Sequence, residues 1–239
     1  MRTMPAWLAA ICRIVIIVML PLALTLTNVR LLMTHLFPEI EYSLPGFPAD
    51  TYGFTKADRL KWSKISIDYL LNDSGIEFLK ELRFPEGVSA PQESCQYYLD
   101  GDCNRFYNDR ELKHMSDVKI VTRWALNIWV LSAILTVLSA GLLFYFREKS
   151  VLRAALLGGS GLTIVILVGI VTYLLLNFNT FFTQFHQVFF ESSTWTFLWS
   201  DSLIRLFPLM FWESAFIFVG GGAILEALAV AAWAWWGLK

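Results

Sequence analysis

Histidine is scarce in this chain: it occurs three times in 239 residues, at His35, His114 and His186. Cysteine also occurs three times, and the familiar signatures of covalent or cofactor chemistry are missing. There is no nucleophile elbow, GxGxxG turn, phosphate loop, HExxH or CxxC. Those absences leave no marked serine or cysteine for covalent catalysis and no expected cofactor. Charge is sparse as well. Only 16% of residues are charged and the formal net charge is -1, so no basic field exists to hold nucleic acid.

Apolar sequence is what the chain has in quantity. It is 56% hydrophobic and 15% aromatic, more than a soluble domain of this size hides. Four apolar runs are each about the ~20 residues a helix needs to cross the bilayer. The expected fold is an all-α membrane protein, with four transmembrane helices and a large extracytoplasmic loop forming a small cap between the first and second. The expected boundaries are 7–36 for the first span and its exit, 37–120 for the cap, and 121–146 for the second span. A cytoplasmic loop follows at 147–153, then the third span at 154–177, an extracytoplasmic interfacial segment at 178–206 and the fourth span at 207–236. The first run is long and lacks a small-residue cleavage pattern, so it reads as a retained anchor. Arg147, Lys149 and Arg153 sit between spans two and three, whereas the connection between three and four carries only Arg205. By the positive-inside rule both termini are expected in the cytoplasm.

The 37–120 segment holds fifteen of the twenty acidic residues and ten of the nineteen basic ones, as a small folded polar cap would. Within it, FTKADRLKWSKISIDYLL has helical periodicity, with Leu60, Ile67, Leu70 and Leu71 as the expected inner face. Cys95 and Cys103 flank Asp100, Gly101 and Asp102. On an extracytoplasmic loop such a pair reads as a disulfide-stapled turn, with two free thiols or a metal pair as the alternatives. A zinc site would need further ligands, and His114 is the nearest histidine.

The stretch NRFYNDRELKHMSDVKIVTR, 104–123, concentrates the polar chemistry. On a helix, Glu111, His114 and either Asp117 or Val118 fall at spacings of three and four and share a face. His186 lies in FTQFHQVFF just after the third apolar run, among phenylalanines at 178, 181, 182, 185 and 189 that recur at helical spacing, as in an interfacial helix. One imidazole beside a carboxylate can serve as base while a second donates a proton. Glu111, Asp117, Glu191 and Asp201 are the carboxylates available to orient such a pair. By spacing alone, an ordinary polar interface residue accounts for each histidine at least as well. Trp195, Trp199 and Trp212 read chiefly as interface anchors, and Arg110 and Arg123 as anchors or headgroup contacts. Glu226, inside the fourth run, reads as structural, within reach of water or a basic loop residue near the inner surface.

FYNDRELKHMSDVK, FHQVFFESSTWTFLWSDSLIRLFPLMFW and the preceding YGFTKADRLKWSKISIDYLL, taken in order, resemble the bacterial polytopic membrane family that includes the lipoprotein intramolecular transacylases. The resemblance covers four spans, the large first external loop and the order RExxHMxDV, FHxxFF, W, D, LIxxFP. It implies a metal-free enzyme that moves the sn-2 acyl chain of a lipoprotein's diacylglyceryl group to the α-amine of its N-terminal cysteine. The partners implied are the lipoprotein substrate and membrane lipid, at the extracytoplasmic face of a bacterial plasma membrane. The family's paired histidines fall on His114 and His186, with Glu111, Asp117, Arg123, Trp195 and Asp201 in support. The pair Cys95 and Cys103 lies outside the motifs that carry the resemblance. Two other classes stay open: a metal-dependent membrane hydrolase ligated by His114, Asp117, His186 and Glu191, and a non-catalytic membrane module whose cap binds a partner.

Overall fold

The computed structural model describes residues 4–191 and 194–238, and within them the secondary structure is helical, with one isolated β-bridge between Arg83 and Arg105. Ten helices are found there. They are α1 (Ala6–Leu32), α2 (Leu36–Glu41), α3 (Lys56–Leu71), α4 (Glu77–Lys80), α5 (Gln92–Cys95), α6 (Asp109–Tyr145), α7 (Lys149–Leu176), α8 (Phe178–Phe189), α9 (Ser202–Leu206) and α10 (Leu209–Gly237). Four of them, α1, α6, α7 and α10, are long and apolar enough to cross a membrane. The protein is therefore a multi-pass membrane protein.

The second span differs most from its expected bounds. Helix α6 starts at Asp109 instead of 121 and runs for 37 residues. That is about 55 Å at 1.5 Å per residue, against a hydrocarbon core of about 30 Å. The polar start stays helical because Asn108 and Glu111 close a reciprocal cap. Glu111 N–H donates to Asn108 Oδ1 at 3.1 Å, and Asn108 N–H donates to Glu111 Oε2 at 2.8 Å. The surplus length carries His114.

By packing, the chain divides into two units. The first comprises 1–32, 124–177 and 216–239. Its core sets Cys12, Ile16 and Leu20 of α1 against Leu152, Ala155 and Leu156 of α7, together with Leu143 and Ala234. Gly159 permits this approach, since a Cβ there would stand 3.1 Å from the Ile16 carbonyl oxygen and 3.0 Å from Leu20. Outward side chains such as Val137, Val165 and Leu225 are apolar and exposed, as spanning helices require. Two side-chain hydrogen bonds join different helices. Trp129 Nε1–H donates to Thr27 Oγ1 at 2.9 Å, and Asn28 Nδ2–H donates to Glu226 Oε2 at 3.0 Å. The partner of Glu226 is thus a buried amide on another spanning helix, where the sequence reading expects water or a basic loop residue.

The second unit comprises 33–123 and 178–215. The segments expected as a separate cap and interfacial stretch therefore share one body. Side chains join them: Asn108 Nδ2–H donates to Asp201 Oδ1 at 2.9 Å, and Ser94 and Ser200 hydroxyls meet at 2.8 Å. The core is aromatic, with Phe106 fully buried and stacked on Trp62 at 4.2 Å between centroids, and Tyr69, Phe84, Tyr107 and Leu206 around it. Helix α3 begins at a capping box between Thr55 and Asp58. Its buried face is Arg59, Trp62, Ser63, Ser66, Ile67 and Tyr69. Ile67 is the only expected inner residue on that list, and Leu71 is exposed. On this face of α3, aromatics and polar groups hold the buried positions expected for leucine. Arg105 supplies a buried guanidinium held by Asp100 and Asp109, each at 2.8 Å. Cys95 and Cys103 form a disulfide with Cα atoms 5.4 Å apart, beside Gly101, whose positive φ of 71° suits the tight turn between them.

Candidate functional site

Helices α6 and α8, both within the second unit, bring His114 and His186 together. The ring centroids lie 6.1 Å apart and the ring planes diverge by 22°. Each histidine is buried, at 7% and 8% exposure. Their surroundings are aromatic. Phe190 packs 4.9 Å from His114 and 5.6 Å from His186, Phe197 lies 5.3 Å from His114, and Trp195 and Phe182 lie 4.9 and 4.1 Å from His186. The periodicity of α8 explains half of this arrangement, because Phe182, His186 and Phe190 succeed one another at spacings of four and occupy one face.

The two imidazoles differ in their hydrogen bonding. His186 Nδ1 lies 2.8 Å from the Phe182 carbonyl oxygen. A carbonyl only accepts, so Nδ1 carries the proton, and Nε2 of the neutral ring keeps its lone pair. Burial pushes the His186 pKa below its ordinary 6.5, partly offset by that carbonyl, so the ring is neutral at physiological pH. His114 Nδ1 is buried and has no hydrogen-bond partner among the described residues. The same holds for the indole nitrogen of Trp195 and for Nε of Arg110.

The carboxylates lie elsewhere than spacing implies. Glu111 is fully buried, and its two oxygens accept from the backbone N–H groups of Asn108 and Leu203, the latter at 2.6 Å. It thereby joins the start of α6 to the start of α9 and shows no hydrogen bond to an imidazole. Asp201 is equally buried and accepts from Asn108 Nδ2, Arg110 Nη2 and Leu198 N–H at 2.8–3.0 Å. Asp117 pairs with Lys113 one turn away at 2.8 Å. Arg123 binds Asp73 at 2.8 Å and the Asn72 carbonyl at 3.0 Å, while Arg110 stacks over Tyr97 at 3.3 Å. Among the described residues, no three His, Cys, Asp or Glu side chains converge in a way that could hold a metal ion. His114, Asp117, His186 and Glu191 therefore do not assemble as one ligand set there. His35 pairs instead with exposed Asp68 at 2.7 Å.

Sequence reasoning missed two groups. Phe182, Phe190 and Phe197 wall the histidine pair. Asn108 caps α6 and reaches Asp201, and the NxxE pattern at 108–111 was the available signal for that cap. The arrangement presents two buried imidazoles, a free lone pair and the unpaired N–H of Trp195 among aromatic rings. Such a set can move a proton and stabilise developing negative charge.

Comparison with known proteins places this chain in a family. The family model described as lipoprotein intramolecular transacylase Lit matches residues 14–212. A protein of Aquifex aeolicus (strain VF5), described as uncharacterized, is 32% identical over 216 residues, covering 90% of this chain and 88% of its own. The in meso structure of the membrane integral transacylase Lit from Bacillus cereus superposes with a TM-score of 0.70 at 18% identity, covering 96% of this chain and 97% of that one. A form of the same protein with a histidine-to-alanine substitution gives 0.65 at 15% identity, covering 95% and 92%. This chain belongs to the lipoprotein intramolecular transacylase family.

Proposed function

We propose that the protein transfers the sn-2 acyl chain of a bacterial lipoprotein's diacylglyceryl-cysteine to the α-amine of that cysteine, giving a lyso-form lipoprotein. The observation that carries this reading is the meeting of His114 and His186 in a buried aromatic pocket, together with family membership. Amine and ester belong to one bound molecule, so holding them close supplies much of the rate, and no protein nucleophile is needed.

In this reading His186 is the base, because its Nδ1–H is engaged by Phe182 and its Nε2 is free. It takes a proton as the amine nitrogen attacks the ester carbonyl. The Trp195 N–H, otherwise unpaired, donates to the oxyanion that forms. His114 then gives its N–H proton to the glyceryl oxygen as the bond from that oxygen to the acyl carbon breaks, and takes up in exchange the proton held by His186, so both rings end neutral. The new amide and the free sn-2 hydroxyl account for every proton moved. Glu111 and Asp201 position the helices that carry this machinery. The site works at the outer face of the plasma membrane, with both termini cytoplasmic.

The test is mass spectrometry of the N-terminal peptide from a diacylglyceryl lipoprotein co-expressed with wild type or with His186→Ala. Wild type shifts one acyl chain from glycerol to nitrogen and the variant leaves the substrate unchanged. An unaltered lipid pattern with folded wild-type protein overturns the assignment.

A further inference from the structure

A cavity of about 420 Å³ opens within the same unit, lined by Pro48, Asp50, Thr51, Arg59 and Arg205 and by the apolar Ile204, Pro208, Leu209 and Met210. It includes neither histidine nor any aromatic residue of the histidine pocket, and its charges do not cancel. Arg205 and Asp50 form a buried ion pair at 2.9 Å, each side chain 4% exposed. Arg59 is 5% exposed. Its hydrogen bonds go to two neutral carbonyls, with Nη1–H donating to Pro48 at 2.6 Å and Nε–H to Arg205 at 2.9 Å. Two guanidiniums thus face one carboxylate, and the wall keeps a net positive charge largely withdrawn from water. Burying an uncompensated cation is unfavourable unless an anion joins it.

The rest of the lining states what kind of anion. Leu209 and Met210 are the first residues of α10, a helix of membrane-spanning length, and with Ile204 and Pro208 they offer an apolar track beside the cations. Trp199 at the rim is 74% exposed, as tryptophans at headgroup depth are. Guanidinium recognises phosphate through paired N–H donors. We propose that this cavity binds the phosphodiester of an anionic phospholipid, its acyl chain lying along the start of α10. The bound lipid is distinct from any diacylglyceryl substrate, which carries no phosphate. The assignment does not rest on the transfer reaction.

Native mass spectrometry of the full chain in non-ionic detergent tests this, with dioleoyl phosphatidylglycerol and dioleoylglycerol as probes. Wild type retains one phosphatidylglycerol per chain and no dioleoylglycerol. Thr51→Glu places a carboxylate in the cavity from an exposed position and weakens the adduct about tenfold or more, as a like charge set beside a bound anion does. Met210→Trp, which fills the space and leaves the charges, causes a comparable loss. Equal adducts in wild type and both variants, or equal retention of the neutral lipid, overturn the site. Displacement of the lipid by millimolar inorganic phosphate reassigns the cavity to the free anion and overturns the lipid.

Discussion

His186 is held by a backbone carbonyl and aromatic rings, with no carboxylate bonded to its free nitrogen. A buried imidazole in that setting works as a base only while neutral. Its pKa is lowered, so activity, measured as initial rates of acyl transfer, should stay level through pH 6.5 and fall only as pH nears the lower folded-state pKa. Stability follows the same sign. The unfolded chain binds the proton first, so the contribution of the neutral ring is fully present above about 6.5 and is lost as pH falls from there. Trp195→Phe keeps the ring beside His186 and removes only the N–H donor. It should reduce kcat about 100-fold, the scale of one oxyanion donor, with little change in KM. The histidine pair was legible in the sequence as two positions. Its lack of a carboxylate partner was not, because spacing places Glu111 on the His114 face without revealing that Asn108 and Leu203 have already claimed both oxygens.

Helix α9 is only five residues long, yet it is fastened on both sides, by Glu111 at the Leu203 N–H and by Arg205 to Asp50. Glu111→Ala should destabilise the protein by about 2–5 kcal/mol, because it leaves two buried N–H groups unpaired, and thermal unfolding in detergent would register the loss. The disulfide acts on a neighbouring turn. Its two cysteines are eight residues apart, and closing so short a loop contributes about 2.5 kcal/mol in the chain-entropy view. Removing it by Cys95→Ala with Cys103→Ala should lower the denaturation midpoint by a corresponding amount and leave His114 and His186 in place. The four spans were readable because apolar length alone specifies a spanning helix. The path from 194 to 208 was not. Its partners lie in the first half of the chain, with 155 residues separating Arg205 from Asp50, and no local periodicity encodes such pairs.

At the scale of the whole molecule, side-chain hydrogen bonds join helices even inside the spanning unit. Asn28 fits beside Gly222, where a Cβ would collide with its side-chain oxygen, while its Nδ2 reaches Glu226. Gly222→Ala should therefore lower the yield of folded protein in the membrane, by disturbing the amide that serves the only acidic side chain deep in α10. Orientation is the remaining large-scale expectation, and the chain carries its own reporter of it. Cys95 and Cys103 close a bridge, and in a mesophilic host such a bridge forms and persists chiefly on the oxidising side of a membrane. A copy threaded through the bilayer the wrong way round would keep both thiols, remaining open to alkylation before any reductant is added. The ratio of bridged to alkylated chains thus counts molecules by the direction in which they were inserted, with no fusion or tag required.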